Sequence, residues 1–326
     1  MQSPVPPLAR RPQIVTLTMN PALDITTSVE VVRPSDKLRC ATTRYDPGGG
    51  GINVARIAQV LGGSVSAVFP AGGPTGDVVI SLLKDAGVQF QHVPIAGSTR
   101  ESFTVNETST GQQYRFVLPG PRVTFKEQTR CLDQLRLAAE SAQFVVASGS
   151  LPPGVPPDFY QRVADICDQL DARFILDTSG GGLRGVSSGV YLLKASVREL
   201  RECVGRPLIT ESEQFAAARG LIEGGRAQIV LVSLGPKGAL LATQHASQRF
   251  PAIPVGFGSG VGAGDAMVAA ITTGLSRGWP LAKSVRLGIA AGAAMLMTPG
   301  TAACTRADVD RLFALCAEPS DATSWC

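Results

Sequence analysis

Short runs of near-continuous valine, isoleucine and leucine recur along the chain, separated by longer windows in which apolar residues return every three or four positions. The runs at 14–18, 65–70, 144–147, 174–177, 190–194 and 229–233 predict buried β-strands. The windows at 52–61, 78–86, 126–142, 158–170 and 211–222 predict helices. Strands apolar on both faces, alternating with helices, imply a mostly parallel sheet covered on both sides. The expected fold class is therefore α/β, with three α/β/α layers.

Two segments break this alternation. Residues 24–46 and 93–119 carry alternating polar and apolar residues with turn chemistry, with 108–111 as a turn between strand-like 103–106 and 114–118. Each predicts a half-exposed hairpin or strand pair. Together they predict a small accessory sheet, serving as a lid or a dimer surface. The proline-rich start at 1–12 and the tail at 320–326 read as frayed ends, which leaves 13–319 as a single domain.

Composition narrows the function. With 44% hydrophobic and 17% charged residues, the chain has the makings of a well-buried core. Its net charge of +4 comes from scattered Lys and Arg, which argues against a nucleic-acid partner. No run of 18 apolar residues occurs, and Arg10 and Arg11 lead into no apolar core, so neither a membrane span nor a signal peptide is expected. The seven cysteines are odd in number, widely spaced and free of any C-x-x-C pair. That pattern fits a reducing, cytoplasmic compartment better than zinc or disulfides. Only two histidines exist, His92 and His245, both in polar surroundings, so histidine-based catalysis is set aside.

The sharpest chemical feature is Gly258-Ser-Gly-Val-Gly-Ala-Gly-Asp265, followed by helix-like 266–276. Glycines let backbone N–H groups crowd round an anion, and a helix start adds partial positive charge. An acid there meets a hydroxyl attacking a bound phosphate; in a plain turn it would be an ordinary helix-start residue. The helix dipole predicts that Asp265 stays ionised and is a weak base, which phosphoryl transfer tolerates. A dinucleotide fingerprint is a poor fit, because 253–257 is punctuated by Pro and Gly and no acid closes a following strand. A Walker A string is absent, as the sequence holds no Gly-Lys pair.

A second glycine cluster, Gly48-Gly-Gly-Gly51-Ile-Asn53-Val-Ala-Arg56, leads into a helix; it reads as a ligand loop or as a tight strand-to-helix joint. Ser148-Gly-Ser150-Leu-Pro-Pro-Gly154 and Asp24 follow strands at the carboxyl edge, where open α/β sheets bind ligands, although turn chemistry accounts for each alone. Lys194-Ala-Ser196-Val-Arg-Glu199 closes another strand; Ser196 and Glu199 have the spacing of a capping box, and Glu199 could also serve a metal through water.

These strings, with Ser233-Leu-Gly-Pro-Lys-Gly238 and in this order, resemble the PfkB branch of the ribokinase-like kinases. Lys37-Leu-Arg-Cys40, Pro70-Ala-Gly-Gly73 and Gln113-Tyr-Arg-Phe-Val117 are most similar to its phosphofructokinase members. The resemblance implies an eight- or nine-stranded, mostly parallel sheet and a β-lid that also builds a homodimer. It implies ATP held by Lys194, Ser233, Gly235 and Gly238, and a sugar phosphate held by Asp24, Gly49, Gly50, Gly51, Asn53 and Ser150. Arg100, Lys37 and Arg39 would supply positive charge for the acceptor's phosphate. Asp265 would be the base, with Gly262, Ala263 and Gly264 as anion hole. Mg2+ would be met by Glu199 through water, and K+ by backbone at Ser259, Val261 and Gly300. Two departures stand out: Ser196 replaces the Asn of the family's Asn-x-x-Glu, and Ala302 stands where phosphofructokinase members carry arginine. The implied reaction is ATP-dependent phosphorylation of fructose 6-phosphate at C1. Kinases of fructose 1-phosphate or tagatose 6-phosphate, and a weakly active sugar-phosphate sensor, are the alternatives, with a dehydrogenase third.

Overall fold

The computed structural model describes residues 12–256, 260–298 and 302–322. β1 (Ile14–Leu17) is followed by β2 (Ala22–Val29), β3 (Arg44–Gly48), α1 (Gly50–Val60), β4 (Val65–Ala71) and α2 (Gly73–Asp85). β5 (Gln89–Pro94), β6 (Arg100–Glu107) and β7 (Gln113–Val117) lead to α3 (Phe125–Ala139) and β8 (Phe144–Ser148). Next come α4 (Phe159–Gln169), β9 (Arg173–Asp177), α5 (Gly180–Arg184), β10 (Val190–Ser196), α6 (Val197–Val204) and α7 (Glu211–Glu223). β11 (Ala227–Ser233), β12 (Ala239–Thr243) and β13 (Ser247–Phe250) precede α8 (Ala263–Ser276), α9 (Leu281–Leu296), α10 (Arg306–Leu315) and β14 (Ser320–Asp321).

The large sheet has the order β14-β13-β12-β11-β10-β9-β8-β1-β4-β5. From β11 to β5 every neighbouring pair is parallel, and β12, β13 and β14 extend the sheet antiparallel. It has ten strands rather than eight or nine. The last is built from Ser320 and Asp321, in the tail expected to fray, which pair with Arg249 and Gln248. An unpaired β13 edge offers backbone donors and acceptors, and the tail satisfies them.

Alternate strand residues feed two separate apolar layers. Ile14, Ala67, Phe69 and Val146 pack with α1, α2, α8, α9 and α10; Val15, Leu17, Val68 and Val145 pack with α3, α4, α6 and α7. Helix α9, outside the helical windows read from the sequence, has almost no polar face: it is buried along most of its length against α8. Gly288 permits that approach, since a Cβ there would lie 2.7 Å from Ile271.

The small sheet has the order β3-β2-β6-β7, so the two inserted segments lie side by side and join through β2 and β6. β2 and β3 are antiparallel but joined by the long stretch 30–43 instead of a tight turn, and β2 pairs with β6 in parallel. Register sorts its side chains into two faces, because directly paired residues point the same way. Tyr45, Ile25, Phe103 and Phe116 form one apolar row across all four strands. Asp46, Asp24 and Ser102 form the adjacent row on the opposite face, shared with Arg44, Arg100 and Arg115.

Candidate active site

The carboxyl ends of β1, β8, β9, β10 and β11 present Thr18, Ser148, Asp177, Lys194, Ser196 and Ser233 along one edge. Opposite them α8 begins. Gly262 adopts φ 76°, which favours glycine, and Ala266 N–H makes the first helical bond, 2.8 Å to Gly262 C=O. The amides before it in this first turn have no intrahelical acceptor and face forward.

Asp265, in that turn, is held from two sides. Asn53 Nδ2 on α1 donates to Oδ2 at 3.0 Å, and Ser148 Oγ at the end of β8 donates to Oδ1 at 3.1 Å. Burial raises the Asp265 pKa above the ordinary carboxylate value; the Asn53 bond, Lys194 and the Ser148 bond pull against it, and Asp24 adds to the rise. The helix start favours the ionised form, as expected from sequence, and burial acts in the opposite direction.

Lys194 Nζ reaches both oxygens of Asp177 at 3.1 Å, with both side chains buried. It lies against the start of α8: a Cβ at Gly264 would stand 2.6 Å from Nζ. Asp177, Glu199 and Asp265 all raise the Lys194 pKa against the burial that lowers it, so this lysine stays charged. Burial pushes Asp177 up to about 6; Lys194 opposes this, while Asp265 and Glu199 reinforce it. Asp177 was not singled out from sequence, although an acid ending an otherwise apolar buried strand is a readable signal.

The glycine loop has a structural reason for each of its residues at this edge. A Cβ at Gly50 would meet Ser148 Oγ at 2.2 Å, and one at Gly51 would meet Leu17 C=O at 2.6 Å. These close approaches set α1 against β1 and β8, and so aim Asn53 at Asp265. Gly49, with φ 110°, caps α1. Ser150 is exposed, with Asn20 Nδ2 3.5 Å from its hydroxyl; Ser148 is the serine that touches Asp265.

Asp24 lies beyond this loop on the charged face of the small sheet. Burial pushes its pKa up to about 6, countered by Arg100 and Arg115, raised by Asp46 and lowered by Arg56. Arg100 donates to the carbonyls of Leu118 and Asn20, each at 3.1 Å. Arg100 Nε, Asn20 Oδ1 and Asn53 Oδ1 are buried without a partner, which marks a polar site built for more than its own chain. Lys37 and Arg39 are exposed in 30–43, and the structure does not bring them to this cluster.

Ser196 and Glu199 form the capping box of α6: Glu199 Oε2 accepts from Ser196 N–H at 2.7 Å and from its hydroxyl at 2.8 Å. Ser233 pairs with Ser196 across β10 and β11, and Gly235 and Gly238 shape the turn into β12 at φ 59° and 100°. Val261 is buried; Ser259 and Gly300 lie outside the described residues. Three acids facing one lysine leave a surplus of negative charge that suits a divalent cation arriving with a triphosphate. Among the described residues no three His, Cys, Asp or Glu side chains cluster into a metal cage. Mg2+ held mostly by phosphate and water needs none.

Comparison with known proteins places this geometry in context. The model of the pfkB family carbohydrate kinases matches residues 17–308. The ATP-dependent 6-phosphofructokinase isozyme 2 of Mycobacterium tuberculosis (strain ATCC 25618 / H37Rv) is 71% identical over 311 residues, covering 95% of this chain and 92% of that protein. The crystal structure of phosphofructokinase-2 from Escherichia coli in complex with substrates and products superposes with a TM-score of 0.88 at 39% identity, covering 93% of this chain and 99% of the other. The same enzyme in complex with potassium gives a TM-score of 0.89 at 38% identity, with the same coverage.

Proposed function

This chain belongs to the pfkB family of carbohydrate kinases, and we propose that it transfers the γ-phosphoryl group of ATP to the C1 hydroxyl of fructose 6-phosphate, giving fructose 1,6-bisphosphate and ADP. The observation that carries the reading is Asp265, poised at the start of α8 by Asn53 and Ser148 within one cluster with Lys194 and Asp177. Its relatives supply the substrate by name.

Asp265 takes the proton of the C1 hydroxyl as that oxygen bonds to phosphorus and the bond to the ADP oxygen breaks. A carboxylate raised by burial is a better base than an ordinary one, and the Asn53 and Ser148 bonds fix its orientation. The amides of Gly262, Ala263 and Gly264 line the place where charge accumulates on the phosphoryl oxygens. Lys194 adds a fixed positive charge there, held in place by Asp177. Mg2+, when bound, would neutralise charge on the phosphates, and Asp177 and Glu199 would meet it through water. Backbone near Val261 would hold a potassium ion.

Asp24, Gly49, Gly50, Gly51, Asn53 and Ser150 would hold the sugar, and Arg100 its phosphate. Ser233, Gly235 and Gly238 would hold the adenosine end of ATP. Lys37 and Arg39 would reach the acceptor phosphate only when 30–43 folds over it. The exposed apolar row ending in Tyr45 (51%) and Phe116 (55%) supports a homodimer through the small sheet. The six described cysteines are free thiols, which supports a cytoplasmic setting.

The test is ADP release with ATP and Mg2+ over fructose 6-phosphate, fructose 1-phosphate, tagatose 6-phosphate and unphosphorylated sugars. Turnover with fructose 6-phosphate far above the rest is the expected result. Preference for another phosphosugar would keep the chemistry and change the substrate. Silence with ATP bound would favour a sensor and turn attention to Ser196, whose hydroxyl is committed to Glu199.

A further inference from the structure

Helix α1 carries two polar side chains one turn apart on the same face, Asn53 and Arg56. The first holds Asp265. The second points the other way along the site, into the small sheet: Arg56 Nη2 lies 3.3 Å from Asp46 Oδ1, and Nη1 donates 3.1 Å to the Pro47 carbonyl. Both partners belong to β3. The ion pair is withdrawn from water, with side chains 10% and 4% exposed. Asn53 and Arg56 also line, with Gly262 and Met295, one small cavity beneath the start of α8.

Asp46 stands directly opposite Asp24 in the β2–β3 ladder, so two carboxylates share one face. Asp46 is also gripped by Arg44, at 2.7 Å and 3.0 Å, but that arginine is 48% exposed. Arg56 is thus the more deeply buried of the two arginines on Asp46. Removing one partner of a buried ion pair leaves an uncompensated charge, which is more disruptive than losing the pair altogether.

We propose that Arg56 is a positioning residue that ties the sugar-holding lid to the catalytic helix: through Asp46 it pins β3 beside β2 and keeps Asp24 in place, while its own helix holds Asp265. The inference rests on the reading of Asp24 as a sugar ligand and Asp265 as the base. The charged groups facing Asp24 are Arg100 on β6, Arg115 on β7, Asp46 on β3 and Arg56 on α1, with Asp265 acting across from α8. Without Arg56, the nearest acid acts on Asp24 with less opposition, and Asp24 takes up a proton at higher pH.

The experiment compares wild type, Arg56→Met, Arg56→Lys, Asp46→Asn and the double variant Arg56→Met/Asp46→Asn, measuring KM for sugar phosphate and for ATP between pH 5 and 9. In Arg56→Met, KM for the sugar should rise about tenfold or more at pH 7 while KM for ATP stays within about twofold. The pH below which sugar KM climbs should move upward. Arg56→Lys keeps the charge and should return that pH toward the wild-type value. The double variant removes the stranded carboxylate, so it should fold and recover sugar affinity toward that of Asp46→Asn alone, even if Arg56→Met folds poorly. Equal shifts in both KM values, an unmoved pH midpoint, or a double variant no better than the single would overturn the proposal. Calorimetric binding of fructose 6-phosphate to the same variants separates the two readings. If the wild type binds the sugar without turnover, the proposed reaction fails, and the ratio of sugar Kd between wild type and Arg56→Met still decides the role of Arg56. A wild type that binds no sugar phosphate overturns both.

Discussion

At the scale of single residues, the site depends on carboxylates that burial has made reluctant to ionise. Asp265 is one, and its two hydrogen bonds leave it oriented rather than free. Asp265→Asn should lower kcat by roughly 10^2–10^4-fold with little change in either KM, as expected of a general base; steady-state kinetics would show it, and near-normal turnover would remove Asp265 from the mechanism. Asp24 is another, with a pKa pushed up to about 6. Because its folded pKa lies above the unfolded value, the folded state binds the extra proton between those pH values, and stability falls as pH rises toward 6. Above that, ionised Asp24 costs up to about 3 kcal/mol. Asp24→Asn should therefore raise Tm at pH 7.5, lose that advantage near pH 4, and bind sugar phosphate weakly throughout. Thermal melts at the two pH values check the sign. A wild type whose sugar KM does not rise as pH falls below 6 would mean that Asp24 does not bind the sugar as a carboxylate.

At the scale of elements, helix starts do most of the positioning. α1, α6 and α8 each begin at the carboxyl edge of the large sheet, and each brings one polar side chain to it: Asn53, Glu199 and Asp265. The capping box of α6 shows how structure and chemistry compete for one carboxylate. Ser196→Ala should cost about 1 kcal/mol of stability, the usual value of an N-cap, and leave Glu199 with only its bond from the backbone N–H of residue 196. Asn is as good a cap as Ser, so Ser196→Asn should keep the stability while changing the Mg2+ dependence of turnover. Denaturant unfolding and a metal titration measure the two effects separately. An unchanged metal response in both variants would confine Ser196 to its cap.

At the scale of the whole molecule, the small sheet has two incompatible faces, one charged and turned to the site, the other apolar and partly in solvent. Tyr45, Phe103 and Phe116 on the apolar face are too contiguous for a surface that stays wet. On the proposed homodimer, Phe116→Glu should shift the mass measured by light scattering from two chains to one. Because the charged face of the same sheet holds Asp24, sugar KM should rise as well. An unchanged mass would place the dimer contact elsewhere, or leave the chain a monomer.

Much of this was legible in the order of residues. Apolar runs on both faces can be satisfied only by a covered parallel sheet, so six of its strands could be located within a residue or two. Glycine strings beside an acid likewise point to an anion at a helix start, whatever the rest of the chain does. Other features need distance in sequence to be crossed. Asp177 and Lys194 become partners through the β9–β10 register, Ser148 rather than Ser150 meets Asp265 through the packing of α1 on β8, and Arg56 finds Asp46 through the small sheet. Helix α9 lay outside the helical windows read from the sequence; it has almost no polar face, and burial against α8 removes the need for one. Local pattern thus determined the elements and the kind of chemistry, since both follow from neighbours along the chain. Tertiary structure alone decided which polar groups pair, and how far burial moves each pKa, because desolvation and contact depend on residues that the sequence keeps far apart.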